Sequence, residues 1–362
     1  MKAVVFAFLV TLVCPIGAAA QDIACGAQGP GPKPGEIKIV SWNIAELASA
    51  VKVYDRAIRS EDEFNDLKGY RSCHDGDVYA LQEIASLRAL GRIFPPSEYV
   101  LCISGQPRAD AKGLAPEYPR DQLVGIQPEC VYDPATPVSA LPGELTTPAR
   151  QYVALAVKRS SGMDLANKSD FVDLGVRDPV SNQPVRWGLD VTLAKGGSSL
   201  RLLVVHLKSR CNEAPIEEPS SNDNCPALYR QLPHLKKWIH DVSQSGLPAI
   251  VVGDFNRRFD RESADVKPTE MWDVITGAAT AGTTDDVNLA HVPKGKEFKC
   301  WPLEPAAQRF AIDFFVLTPK AQAIADAGSY WKWRYGKDIE ENTPRDRWPS
   351  DHCAIQMNIR LP

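Results

Sequence analysis

The chain alternates between short apolar runs and stretches with helical spacing. The clearest apolar run is 249–252, where four apolar residues, three of them β-branched, predict a strand buried on both faces. The turn at 195–197 predicts a hairpin between two further apolar runs, 185–194 and 198–206. Similar patterns predict other strands at 36–44, 77–83, 122–127, 150–158, 309–317 and 353–361.

Helical spacing is clearest at 226–242, where apolar residues recur every three or four positions on one face. Pro233 should kink this helix or mark its true start. The stretch from 106 to 150 is rich in Pro, Gly and charge, which predicts a surface excursion. Because strands recur on either side of helices, the chain is predicted to form α/β layers. Shorter helices are predicted at 46–67, 86–94 and near Met271.

The composition is that of a globular protein with a large core. The chain has 362 residues, of which 44% are hydrophobic and 24% charged. Its length alone would allow two or three domains. The net charge of -4 argues against a strongly basic protein that coats nucleic acid, although it allows a local basic patch.

The N-terminus has the pattern of an export signal. Lys2 precedes an almost wholly apolar stretch, 3–17, and small residues follow at 18–20. A membrane anchor needs about 20 apolar residues, and this stretch is shorter. We therefore expect a signal peptide over 1–20 with cleavage near Ala20, a linker over 21–35, and a secreted or periplasmic protein without stable membrane association.

The cysteines favour disulfides. Of nine cysteines, Cys14 would be lost with the signal peptide, which leaves eight. An even number in an exported chain is typical of disulfide bonding, and the lack of a Cys-x-x-Cys pair argues against a zinc site. We expect the pairs Cys211–Cys225 and Cys102–Cys130. The partners of the other cysteines stay open, namely those of Cys25, Cys73, Cys300 and Cys353.

Polar residues follow or interrupt the predicted strands. Asp254 and Asn256 come directly after the strand at 249–252, and at this spacing they point to the same side. Such a pair suits holding a water or a phosphoryl oxygen beside a metal, although alone it is more typical of an Asx turn. Asp313 lies within an apolar strand, where a carboxylate is costly unless it is paired. The other strand-end residues are Asn43, Glu83, His206, and Asp351 with His352.

Together these motifs resemble the endonuclease/exonuclease/phosphatase superfamily, the deoxyribonuclease-I-like enzymes. In chain order they are Ser-Trp-Asn43-Ile, Leu-Gln-Glu83, His206-Leu-Lys-Ser, Gly-Asp254-Phe-Asn256, Ile-Asp313 and Ser-Asp351-His352. They span 43 to 352, so the resemblance implies one domain over 36–362 instead of two or three. It also implies an α/β fold, a four-layered sandwich of two packed mixed β-sheets flanked by helices, with the site at one edge.

The resemblance implies a role for each motif residue. Glu83, with Asn43 and Asp351 beside it, is assigned to a hard divalent cation, Mg²⁺ or Mn²⁺, with Ca²⁺ as a further structural ion. Asp313 would hold His352 in one tautomer. The remaining catalytic residues would position water and phosphate, without a fixed choice of acid and base; these are His206, Asp254 and Asn256.

Several functions agree with these residues. The leading hypothesis is a monomeric, secreted nuclease whose substrate is DNA, with RNA as a second substrate, and Arg150, Lys208 and Arg257 are candidates for contacting its phosphates. Such charged residues are as typical of a solvated surface as of a phosphate-binding site. The alternatives are a sphingomyelinase-like or other phosphoester hydrolase, which would use 330–335 as a membrane wedge, and an inactive binding module, which the intact acid and histidine set disfavours.

Overall fold

The structure is a computed structural model. It describes residues 27–50, 58–105, 129–144, 151–180, 184–214, 216, 222–261, 270–277, 287–298, 300, 308–335 and 349–361. Four sequence predictions therefore lie outside the described residues: the signal peptide, Cys25, the strand at 122–127 and the phosphate contact by Arg150.

Strands dominate the described residues. The strands are β1 (Glu36–Leu47), β2 (Val78–Ile84), β3 (Tyr99–Ile103), β4 (Glu129–Val131), β5 (Tyr152–Lys158), β6 (Asp164–Phe171), β7 (Gly188–Lys195), β8 (Ser198–His206), β9 (Ala249–Asp254), β10 (Ala290–Val292), β11 (Lys296–Phe298), β12 (Gln308–Phe310), β13 (Asp313–Leu317), β14 (Ala325–Lys332) and β15 (Ile355–Arg360). The helices are α1 (Glu61–His74), α2 (Leu87–Ile93), α3 (Cys225–Gln244), α4 (Met271–Thr276) and α5 (Pro319–Gln322).

Two mixed sheets form the centre of the molecule. The first sheet has the strand order β14-β15-β1-β2-β5-β3-β4, and the second has β10-β13-β9-β8-β7-β6. β1 lies parallel to β2 and β8 parallel to β9, whereas their other neighbours are antiparallel. β11 and β12 form a separate two-stranded ribbon. The hairpin of β7 and β8 is the one predicted from the sequence.

Side-chain alternation divides the core into layers. On β1, Ile37 and Ile39 face the inter-sheet core, whereas Val40 and Trp42 face the outer core of the first sheet. Residues of α1 and α2 complete that outer core, and residues of α3 and α4 complete the outer core of the second sheet. The order helix, sheet, sheet, helix is the four-layered sandwich predicted from the sequence.

The helix predicted over 46–67 is wrong in position. Among the described residues the helix is α1, which begins after Ser60. The Ser60 hydroxyl accepts from the Glu63 N–H, and the Glu63 carboxylate accepts from the Ser60 N–H, a capping box that fixes the start. Ala45 and Glu46 instead have left-handed φ angles of 48° and 57° within β1, so the chain cannot be helical there.

Two further predictions need correction. Pro233 lies inside α3 and does not mark its start, because the helix begins at Cys225 with Pro226 in its first turn, where proline costs little; a kink at Pro233 stays a prediction. The strand predicted at 309–317 is interrupted, because β12 pairs with β11 while β13 pairs with β9. Among the described residues, no helix combines the length and hydropathy needed to cross a membrane.

Disulfides link distant parts of the chain. The bonds Cys102–Cys130 and Cys211–Cys225 have the pairing expected from the sequence. A third bond joins Cys300 to Cys353, which the sequence left open. Cys73 is also disulfide-bonded.

Candidate active site

Three strands of the second sheet place His206, Asp254 and Asp313 in one row. β8 and β9 pair His206 with Asp254, and β9 and β13 pair Asp254 with Asp313. Residues two positions earlier on the same face, such as Val204 and Val252, belong to the inter-sheet core. The site therefore begins where the apolar row between the sheets gives way to polar side chains.

The first sheet contributes Asn43 and Glu83 from the neighbouring strands β1 and β2. The sequence predicts that these strands end here, but they continue to Leu47 and Ile84 through register shifts. Glu83 has a left-handed φ of 62° at this irregularity. Such a conformation costs about 1–3 kcal/mol in a non-glycine residue and is typical of functional sites. The irregularity at Glu83 turns its side chain into the site, whereas Asn43 reaches it by the alternation that also places Ile37 and Ile39 between the sheets.

Hydrogen bonds connect the two sheets through Asn43. Its Nδ2 donates to Glu83 Oε1 and to Asp254 Oδ2, at 3.1 Å each, while its Oδ1 accepts from the Ala45 N–H at 3.0 Å. The resemblance assigns Asn43 to the metal. In this conformation the amide nitrogen of Asn43 holds the carboxylate of Glu83, and its oxygen accepts one hydrogen bond, so a contact of that oxygen with a cation stays a prediction.

His352 and Asp313 form a buried ion pair. The His352 Nδ1 lies 2.9 Å from Asp313 Oδ2, and its Nε2 lies 3.8 Å from Asp254 Oδ2. Burial alone would lower the pKa of His352, but the carboxylates of Asp313 and Asp254 outweigh burial and raise it to about 10. Burial raises the pKa of Asp313, yet the imidazolium outweighs it and holds that pKa below its ordinary value.

The pKa values of Asp254 and His206 are shifted in opposite directions. Burial raises the pKa of Asp254 to about 7, although cationic His352 opposes this. Burial also lowers the pKa of His206 well below its ordinary value, and the charge of Arg186 adds to that effect. His206 is therefore neutral at pH 7, with its Nε2 3.5 Å from Asp254 Oδ2 and 3.8 Å from Glu83 Oε1. The row and His352 together thus combine a neutral imidazole, a carboxylate that titrates near neutrality and a cationic imidazole.

Glu83 has the chemistry of a ligand for a hard cation. Its carboxylate accepts from three neutral donors: the Asn43 amide, the Glu46 N–H at 3.0 Å and the Gln151 amide at 2.8 Å. The side chain is 18% exposed. Neutral donors fix a carboxylate without cancelling its charge, and an oxygen ligand of this kind fits Mg²⁺ or Mn²⁺.

A second group can also hold a cation by geometry alone. Ligand atoms of Asp254, Asp313 and His352 lie within 4.8 Å of one another. However, His352 is protonated in its pair with Asp313, so a metal there would have to displace a proton and break that pair. Glu83 is therefore the better candidate ligand. Asp351 is exposed beside His352, and its charge helps to raise the pKa of His352.

Asn256 and Lys208 are anchored close to the row. The Asn256 N–H donates to Asp254 Oδ1 at 2.8 Å and its Nδ2 donates to Leu207 O at 3.2 Å. Its left-handed φ of 52° is one that asparagine tolerates better than most residues. The Lys208 Nζ lies 2.7 Å from Asn224 Oδ1 and 3.4 Å from Asp178 Oδ2, so its charge is already partly balanced.

Arg257 does not reach the site, which corrects its assignment to a substrate phosphate. The residue is 1% exposed. Its guanidinium pairs with Glu270 and donates to the carbonyl oxygens of Cys211 and Ala214. Because these acceptors surround it in the interior, Arg257 binds the loop after β8 to the start of α4.

Several residues of the site were not recognised from the sequence. Gln151 and Arg186 precede β5 and β7, and Gln151 contacts Glu83 directly. The Ser350 hydroxyl donates to Asn43 O at 2.6 Å and accepts from the His352 N–H, so it ties His352 to β1. Buried Arg59 donates to carbonyl oxygens on both segments as well. A polar residue just before a strand is the one signal that pointed to Gln151, and it also fits a solvated turn.

Solved structures with this fold are known. The chain superposes on an endonuclease/exonuclease/phosphatase from Bacteroides vulgatus (TM-score 0.52, 14% identity, 90% of this chain and 99% of that one) and on an AP endonuclease from Leishmania major (0.51, 13%, 94% and 94%). It also superposes on the catalytic domain of human Nocturnin (0.50, 15%, 92% and 97%). No family model matches the sequence, and neither does any curated protein. The fold predicted by the motif resemblance is confirmed: it is that of the deoxyribonuclease-I-like proteins.

Proposed function

We propose that the chain is an exported, divalent-metal-dependent hydrolase that cleaves phosphodiester bonds in nucleic acid, with DNA as the preferred substrate. One observation carries the proposal. A carboxylate held by neutral donors, a carboxylate that titrates near pH 7 and a cationic histidine lie together at one edge of the sandwich. The neighbours of the same fold include a protein named as an AP endonuclease, which supports this substrate class.

The charges suit attack on a phosphodiester. A group with a pKa near 7 is an effective general base at neutral pH, so Asp254 would take the proton of the attacking water while Asn256 stays anchored to it. His352, kept cationic by Asp313, would stabilise the negative charge of the phosphorane and give its proton to the leaving oxygen as the P–O bond breaks. His206, which is neutral, would donate a hydrogen bond to a phosphate oxygen. A cation bound at Glu83 would supply Lewis-acid chemistry.

The ribbon of β11 and β12 supports a nucleic-acid substrate. Cationic side chains lie over its aromatic rings: Arg334 lies 5.6 Å from the centre of the Phe298 ring, and Lys296 lies 5.5 Å from that of the Phe310 ring. Phe298 is 43% exposed. Since β12 ends three residues before Asp313, the Phe310 backbone lies within about 10 Å of the Asp313 backbone. Exposed rings and cations next to a site are typical of binding to nucleic-acid strands.

The membrane-wedge alternative loses its supporting feature. Trp333 and Tyr335 are 1% and 2% exposed and pack in the outer core of the first sheet. Tyr330 packs from the other face against the inter-sheet core. Trp331 is partly buried against the outer core of the first sheet. These aromatic side chains belong to edge strand β14 and its continuation and pack on the protein's own cores, which disfavours a bilayer wedge. Export through residues 1–20, a single domain over 36–362 and a monomeric state remain part of the proposal.

Turnover measurements test the proposal. Purified protein should cleave plasmid DNA, and RNA more slowly, when Mg²⁺ or Mn²⁺ is present, and EDTA should abolish cleavage. Glu83→Gln should raise the Mg²⁺ concentration needed for half-maximal rate, because it removes the negative charge from the ligand. Turnover of sphingomyelin or inositol phosphates in place of nucleic acid, or activity that survives chelation, would refute the proposal.

A further inference from the structure

Arg186 and Gln151 form a chain of hydrogen bonds that ends on Glu83. The Arg186 Nη1 donates to Gln151 Oε1 at 2.8 Å, and the Gln151 Nε2 donates to Glu83 Oε2 at 2.8 Å. Arg186 is anchored in turn, since its Nε and Nη2 donate to the carbonyl oxygens of His206 and Leu207 at 3.3 and 3.1 Å. The chain therefore runs from the end of β8 in the second sheet to β2 in the first.

The chemistry of the glutamine amide makes this chain directional. An amide has a donor nitrogen and an acceptor oxygen, and a guanidinium can only donate. Because Arg186 occupies Gln151 Oε1, the amide nitrogen must face Glu83, and it is held there in a site where Gln151 is 6% exposed. The orientation of Gln151 is thus fixed by Arg186 and does not depend on a substrate.

These hydrogen bonds limit the directions from which a cation can approach the Glu83 carboxylate. Two of its donors come from its own sheet, Asn43 on Oε1 and the Glu46 N–H on Oε2. Gln151 supplies the third donor and is itself held by Arg186, at the end of the other sheet. A carboxylate offers about four lone-pair sites, so three fixed donors leave about one direction in which a cation can be met.

We propose that Arg186 and Gln151 are positioning residues that set the affinity of Glu83 for a divalent cation. The inference rests on the proposed function in assuming that Glu83 binds the cation. Groups that orient metal ligands in this way usually change affinity or activity by about 10–100-fold when they are removed. The effect would act through Glu83, since neither residue is proposed to contact the substrate.

The test measures cation binding without substrate. Gln151→Met keeps the side-chain volume but removes both hydrogen bonds, so titration calorimetry should show about 10-fold or more weaker Mg²⁺ binding. Arg186→Lys keeps the charge but loses the planar fork, and a smaller loss is expected. In the double variant the two losses should not multiply, because both act through one chain of contacts.

Two substitutions serve as matched controls. Gln356 is also a buried glutamine, bonded to Pro30 O, Ser329 O and the Trp333 Nε1. Gln356→Met should lower the thermal stability but leave Mg²⁺ affinity unchanged. Arg201→Lys is the control for Arg186→Lys. Arg201 on β8 is another arginine whose planar fork binds a carboxylate, that of Asp190 on β7. Its replacement should leave Mg²⁺ affinity unchanged.

The outcomes separate this inference from the proposed function. Folded Gln151→Met that binds Mg²⁺ as tightly as the unmodified protein would overturn the positioning role. Equal weakening in the Gln356→Met control would overturn it too, because the loss would then reflect general destabilisation. Cation binding that depends on Gln151 in a protein that cleaves no nucleic acid would leave the inference intact and refute only the substrate.

Discussion

Strand β1 presents two buried environments on its two faces, and each contains a histidine. Trp42 packs against His74 in the outer core of the first sheet, whereas the next residue, Asn43, faces the site that contains His352. His74 lies among rings, 4.2 Å from the centre of Tyr70 and 5.0 Å from that of Trp333. Both histidines are nearly or fully inaccessible to solvent.

The pKa values of the two histidines nevertheless move in opposite directions. Burial lowers the pKa of His74 well below its ordinary value, and the charges of Lys38 and Arg71 add to that effect. At His352 the carboxylates of Asp313 and Asp254 outweigh burial and raise the pKa. Burial alone therefore keeps a histidine neutral at pH 7, whereas nearby carboxylates keep a buried histidine cationic and able to stabilise negative charge.

The largest expected effect is on turnover. His352→Ala should lower the rate by about 10²–10⁴-fold, the usual contribution of a positioned acid or base. Asp313→Asn should cost somewhat less, because the imidazole remains but loses a carboxylate that keeps it cationic. The double variant should be little worse than His352→Ala, since the two act as one unit. If the two losses multiply in steady-state assays, Asp313 is not the partner of His352.

A second effect concerns stability at alkaline pH. The raised pKa of His352 stabilises the fold fully below about pH 6.5, the value expected in the unfolded chain, and this contribution is lost as the pH rises towards about 10. Asp313→Asn removes the pair. Its deficit in unfolding free energy against the unmodified protein should therefore be large at pH 6 and shrink by pH 9. Urea titrations at both pH values measure this, and a deficit independent of pH would contradict the ion pair.

The smallest effect is at His74 and has the opposite sign. Its folded-state pKa is lowered, so the unfolded chain binds the proton more readily and stability is lost as the pH falls below about 6.5. The loss is at most about 1.4 kcal/mol per pH unit. His74→Phe should remove this acid sensitivity while turnover at pH 7.5 stays unchanged. Equal acid sensitivity in the variant and the unmodified protein would show that His74 is not its source.

The positions of the strands and of the polar site residues can be predicted from the sequence, whereas the pairing register that brings those residues together cannot. Alternating apolar residues identified β1, β2, β8 and β9, and the structure brings Asn43, Glu83, His206, Asp254, Asp313 and His352 together. Register cannot be read from one strand, because it depends on the partner strand. The row of His206, Asp254 and Asp313 therefore became visible only in the structure.

The errors have similar physical causes. Arg257 was assigned to phosphate because it adjoins the motif, yet its partner Glu270 lies in a stretch without a motif. The bulge at Ala45 and Glu46 read as the start of a helix, since nothing in those residues favours a left-handed φ. Gln151 and Arg186 were missed because each gains its role from a contact with a distant strand.

The bond between Cys102 and Cys130 has a practical consequence for engineering. The two residues lie opposite each other in the β3–β4 ladder, so the disulfide ties together the ends of the intervening segment. Once its ends are fixed, a segment can change in length at small entropic cost. Because the ladder and the bond fix the same two ends, insertions between Cys102 and Cys130 should leave β3 and β4 paired.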